Sequence, residues 1–150
     1  MEFGFIQEDW MNDLADEFLN RQVAEPDKEY DLRVFAFERL DVWNRSLDLV
    51  EWIYDVTSSF PNEEKFVLTA QIRRSAISVP SNIAEGVHRR SEKDKIHFLN
   101  IAYSSLIELL TQLIIGKRLG YLDDSHYLDG RRMIQAITAM IQGLARSFSK

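Results

Sequence analysis

The 150-residue sequence has no cysteine, three prolines and six glycines. Without cysteine there can be no disulfide, thiolate zinc site, iron–sulfur cluster or cysteine nucleophile. So few Gly and Pro leave too little turn punctuation for an all-β chain of this length, and an all-α class is expected. No uninterrupted apolar run approaches the ~20 residues needed to span a bilayer. The opening Met1-Glu2-Phe3-Gly4-Phe5 has neither the basic region nor the apolar stretch of a secretory signal. A soluble, cytoplasmic protein is the expectation, with no membrane partner.

What is present fits one ordinary globular domain. Hydrophobic residues make up 45% and charged residues 28%, which excludes disordered and collagen-like chains. The net charge of −6 is unevenly divided. Residues 1–34 hold ten acidic and three basic side chains, whereas the remainder is nearly balanced. The expected division is an acidic N-terminal extension and linker, 1–34, and a helical body, 35–150. Within the extension Asp9 can cap a short helix whose Trp10, Leu14 and Phe18 recur every fourth residue, ending before Pro26.

In the body, Leu40, Trp43, Leu47, Val50, Tyr54 and Thr57 form one helical stripe between Arg39 and Phe60, and Leu49, Ile53, Val56 and Phe60 a second. A helix with two apolar stripes must meet neighbours on two sides. Asn62 is expected to cap the next helix, with Glu63 and Glu64 in its first turn. That helix carries Leu68, Ile72, Ala76, Val79 and Ile83 and is expected to stop at Gly86. Pro80 inside it should kink it or split it in two, with Ser75, Ser78 or Ser81 available to the freed carbonyl. Ser91 caps a third helix running to Leu119-Gly120. Between Phe98 and Ile115 that helix has 12 apolar residues in 18, far wider than the ~100° face a monomeric bundle needs. It should therefore face both its own bundle and another subunit. A fourth helix starts at Asp123, Asp124 or Ser125, with Ile134, Ile137, Ile141, Leu144 and Phe148 on one stripe. Four long helices with short links predict an antiparallel up-down four-helix bundle and, from the two-sided helices, a cyclic homo-oligomer.

The run Gln71-Ile72-Arg73-Arg74-Ser75-Ala76-Ile77-Ser78-Val79-Pro80-Ser81-Asn82-Ile83-Ala84-Glu85-Gly86 closely resembles the signature of the bacterial four-helix-bundle family encoded by intervening sequences of 23S ribosomal RNA genes. Phe37-Glu38-Arg39-Leu40-Asp41-Val42-Trp43 is similar to the family's opening, with Asp41 where a basic residue is usual. Arg90-Ser91, Phe98-Leu99, Ser105-Leu106-Ile107-Glu108-Leu109 and Leu119-Gly120-Tyr121-Leu122 follow in the family's order, with Leu110 where an acidic residue is common. The resemblance implies a bundle that closes into a homopentamer and has no enzymatic activity. It also implies a distant similarity to the accessory protein of diversity-generating retroelements, a pentameric barrel with a basic surface that binds nucleic acid and its reverse transcriptase.

Signs of catalysis are few. His88, His97 and His126 lack the spacing of a metal or catalytic pair, and neither a phosphate-binding glycine loop nor a nucleophile elbow is present. No catalytic residue, metal or cofactor is expected. The basic residues Arg73, Arg74, Arg89, Arg90, Lys93, Lys95, Arg131 and Arg132, with Lys117 and Arg118, have two readings. Repeated around a ring they would form a belt for RNA or DNA phosphates. Alternatively they complement helix ends and pair with Glu63, Glu85 or Glu108. Pro80, Asn82, Glu85 and Gly86 are expected to be structural, with Asn82 and Glu85 a buried polar pair serving the backbone or a subunit contact. Trp10, Leu14 and Phe18 form a candidate docking stripe for a partner protein. The expected function is a non-catalytic, ring-forming scaffold or binding module for nucleic acid or a nucleoprotein partner. The alternative is a protein-protein adaptor acting through the acidic helix.

Overall fold

A computed structural model describes residues 35–149. Trp10, Leu14, Phe18, the linker at Pro26 and the division at residue 34 lie outside the described residues. The described chain forms four long helices, α1 (Asp41–Val56), α2 (Leu68–His88), α3 (Glu92–Arg118) and α4 (Asp124–Ser147). Short 3-10 turns at Ala36–Arg39, Thr57–Ser59 and Asn62–Glu64 flank α1 and precede α2, and no strand occurs among the described residues. The class is all-α, as the low Gly and Pro content required.

Each helix packs on two others: α1 on α2 and α4, and α3 on α2 and α4, with α2 against α3 the most extensive pairing. The interior is built from one stripe per helix: Leu49 and Ile53 of α1, Ile72, Val79 and Ile83 of α2, Leu99, Leu106, Leu109 and Leu113 of α3, and Ile134, Ile137 and Ile141 of α4. Removing each such side chain from water contributes about 1.5–3 kcal/mol. Among the described residues α3 is the one helix long and apolar enough by length and composition to cross a membrane, and Leu99, Leu106, Leu109 and Leu113 of it are buried in the core.

Helix ends follow local chemistry in three places. Ser91 Oγ accepts the Asp94 amide at 3.0 Å, the Asp123 carboxylate accepts the His126 amide at 2.8 Å, and Gly120 at φ 78° ends the turn after α3. Two expected ends are corrected. Asn62 does not cap α2, because Pro61 leads into a 3-10 turn and the helix starts at Leu68. Glu64 substitutes by taking the Leu68 amide on Oε2 at 3.2 Å. Gly86 does not stop α2, which continues to His88. A Cβ on Gly86 would lie 3.0 Å from Cβ of Phe98 and 3.2 Å from the Lys95 carbonyl oxygen, so this glycine exists for the close approach of α3.

Pro80 is accommodated without splitting α2, which is helical throughout its 21 residues. None of the three serines serves the carbonyl that Pro80 leaves free. Ser81 Oγ donates to the Ile77 carbonyl at 2.9 Å, and Ser78 Oγ meets Ser105 Oγ across to α3 at 2.8 Å.

Candidate functional site

Helix α2 has three distinct faces. Ile72, Ala76, Val79 and Ile83 enter the core. Ser75, Ser78, Asn82 and Gly86, spaced three or four apart, turn towards α3. There Asn82 Nδ2 donates to the Ser78 carbonyl at 2.8 Å and to Ser78 Oγ at 3.0 Å, and Ser78 reaches Ser105. Small side chains let the two helices approach, and the Ser78 and Ser105 hydroxyls are satisfied within the seam. Glu85 is not part of this seam. It is exposed and pairs with Arg89 one turn on, so the expected buried Asn82–Glu85 pair is corrected: one register position carries Glu85 past the seam to water.

The third face of α2 meets the Trp43, Leu47 and Val50 stripe of α1. Phe37, Trp43, Leu47 and Val50 on one side and Ile77, Pro80 and Ala84 on the other line a groove of 360 Å³ that is nearly all apolar. Trp43 is held by Phe37, ring centroids 5.0 Å apart, and Phe37 in turn meets the His88 ring at 5.5 Å. Ile77 remains 43% exposed in its wall. On the other half of the bundle, the flank of α3 turned away from α2 carries Ile96, Tyr103, Ile107, Leu110 and Ile114, all at helical spacing and none fully buried. Ile107 is 44% exposed. Because α1 neighbours α2 and α3 neighbours α4, with α1–α4 and α2–α3 closing the circuit, the groove and this flank lie on opposite sides.

The basic residues divide into engaged and open groups. Arg73 is half-buried, donates from Nε to Thr57 Oγ1 at 2.9 Å, and lies over the Tyr54 ring at 4.5 Å. Arg89 pairs with Glu85 and stacks on Phe98 at 4.5 Å, and Lys95 sits over Phe148 at 4.8 Å. Arg131 donates to the Tyr127 hydroxyl at 2.8 Å and Arg132 pairs with Asp129 at 3.1 Å. Lys117 reaches Asp124 at 2.9 Å. Arg74, Arg90 and Lys93 are exposed and pair with no carboxylate among the described residues. The clusters do not converge on one spot, since Arg73 and Arg89 are separated by 16 residues of α2, roughly 24 Å of helix.

Over residues 38–143 the chain matches the family model described as 23S rRNA-intervening sequence protein. The chain belongs to that family. A crystal structure from Bacteroides thetaiotaomicron VPI-5482, of a protein with unknown function from the S23 ribosomal protein family, is similar to it. The TM-score is 0.65 and the identity 28%, covering 69% of this chain and 97% of that one. No curated protein matches the chain.

The family signature at 71–86 thus serves construction: one face for the core, one for the seam with α3, one for the groove. The histidines are dispersed and exposed. His88 Nδ1 lies 3.0 Å from the Ala84 carbonyl oxygen and His126 Nδ1 2.8 Å from Asp123 Oδ2. The His126 amide first, and then that side-chain contact, hold the Asp123 carboxyl below its usual range, while partial burial and then Glu64 push the Tyr121 phenol up. Among the described residues no three His, Asp or Glu side chains are grouped to hold a metal ion. Sequence reasoning missed Ile77, Ala84 and Lys65 as surface features. Ile77 and Ala84 stood inside the signature as apolar residues off the core stripe, which was the available signal.

Proposed function

We infer that this family member is a ring-forming scaffold that presents basic side chains to nucleic acid. The helices run up and down, and the α3 flank of one copy seats in the α1–α2 groove of the next. The observation that carries this reading is the pair of unlike apolar faces on opposite sides of one bundle. Two different, complementary patches join head to tail, and a head-to-tail contact that closes gives a cyclic ring. Contacts at either end support the alternating helix directions: Tyr121 with Glu64 at one end, Lys95 with Phe148 at the other. The number five comes from the family resemblance alone. Of the eight candidate side chains Arg74, Arg90 and Lys93 are left to meet phosphates, with Arg118 also exposed at the end of α3, and nothing in the reading requires a catalytic residue or cofactor. A cytoplasmic location is part of the same reading.

The experiment is a mixing test by light scattering. Ala84→Arg blocks the groove and leaves the flank; Ile107→Arg blocks the flank and leaves the groove. Each variant alone is expected to run as a single chain. Mixed, they are expected to pair into a two-chain species that grows no further, because each pair retains one spoiled face at either end. A wild type that stays a single chain at micromolar concentration, or variants that still assemble alone, would remove the ring.

A further inference from the structure

Where the end of α1 meets the start of α2, a polar cavity of 200 Å³ is lined by Thr57, Asn62, Lys65, Thr69 and Arg73 among others, with no carboxylate in its wall. Neither apolar face accounts for it. Three observations there point the same way. Arg73 is a half-buried cation whose Nε is committed to Thr57, and it has no carboxylate partner among the described residues. Burying part of a guanidinium with no counter-charge is costly, and an anion supplied from outside relieves the cost. Thr69 is only 5% exposed, and its Oγ1 has no hydrogen-bond partner. Such a group is rare in a folded protein unless something completes it. Finally, the cavity adjoins the first turn of the 21-residue α2, where backbone amides have no intrahelical acceptor. Glu64 answers only the Leu68 amide and otherwise accepts from the Tyr121 hydroxyl at 3.3 Å.

We propose that this corner is a binding site for a phosphate group. Arg73 and Lys65 supply the charge, and the Thr69 hydroxyl and the open amides of α2 supply further donors. The guanidinium is already oriented by Thr57 and by the Tyr54 ring beneath it, so little side-chain freedom is lost on binding. Thr57 Oγ1 donates to the Ile53 carbonyl at 2.7 Å, which leaves its lone pairs for Arg73 and fixes the donor–acceptor order of the corner. The site stands independently of the ring and of the open cations Arg74, Arg90 and Lys93.

The test uses the full chain and inorganic phosphate, read as a shift in melting temperature against sodium chloride at equal ionic strength. A saturable rise with phosphate is expected, weakened about tenfold in apparent affinity by Lys65→Gln and by Thr69→Val. Lys65 is exposed and Thr69→Val is close to isosteric, so both variants should fold; Arg73→Gln is the stronger but less safe third. Two ten-nucleotide RNAs, with and without a 5′-phosphate, then compete with inorganic phosphate. Displacement by the phosphorylated RNA alone identifies an oligonucleotide end as the source of the group, and displacement by neither identifies free phosphate. A shift no larger than that with chloride, or one unchanged in both Lys65→Gln and Thr69→Val, overturns the site.

Discussion

Gly130 sits inside α4 at the point where α1 presses on it. A Cβ there would fall 2.6 Å from Cη2 and 2.8 Å from Cζ3 of Trp52, and 3.1 Å from Cδ1 of Leu113. Indole atoms wedged between helices cannot retreat as a flexible chain end can, so Gly130→Ala is expected to cost about 1–3 kcal/mol. Gly143, in the same helix, would put its Cβ near only the Arg146 guanidinium, at 3.9 Å. Gly143→Ala is therefore expected to stabilise by about 0.5–1 kcal/mol through backbone entropy alone. Urea unfolding of the two variants should move in opposite directions, and equal behaviour would contradict the packing. The pair marks what a sequence can express at this scale. Gly120 was legible, because a turn stop is a local matter. Gly86 was not, because a glycine that ends a helix and one that admits a neighbouring helix look the same until the neighbour is known.

At the scale of the element, local cap signals held where the helix begins at the capping residue itself. Ser91 caps α3 as expected, and Asp123, one of the three starts the sequence left open, caps α4; Asn62 does not cap α2, since the 3-10 turn after Pro61 displaced the start of that helix to Leu68. The α4 cap also carries a pH signature. The Asp123 carboxyl is held below its ordinary value first by the His126 amide and then by the His126 side chain. A carboxyl with a depressed folded pKa adds stability that is present above its unfolded value, about 4, and is lost as pH falls through the folded one. Asp123→Asn keeps a capping oxygen but has no charge to titrate. The wild type's advantage over Asp123→Asn is expected to shrink as pH falls below about 4. Thermal melts of both proteins across that fall in pH check it, and a difference that is flat with pH would assign the cap no ionic part.

For the whole molecule, the two stripes on α1 and the width of the apolar surface on α3 were both visible as excess over what one core consumes. Leu49, Ile53, Val56 and Phe60 became core, while Trp43, Leu47 and Val50 became groove. No periodicity could say that the groove and the α3 flank would lie on opposite sides, because that depends on the order of helices around the bundle. The same holds for charge. Eight basic residues looked equivalent as a string, but packing has committed Arg73, Arg89, Lys95, Arg131 and Arg132 to partners within the chain and left Arg74, Arg90 and Lys93 open. If nucleic acid is the ligand, the open three should neutralise its phosphates. Changing them together to Gln is expected to weaken single-stranded RNA about tenfold or more and to flatten the dependence on salt, by about 0.7 in log–log slope for each phosphate no longer neutralised. Changing the committed Lys95 and Arg131 to Gln should leave that slope nearly unchanged. Fluorescence anisotropy between roughly 50 and 200 mM salt measures both. Binding that ignores salt, or an equal weakening from the committed pair, would leave a ring that joins proteins and holds no nucleic acid.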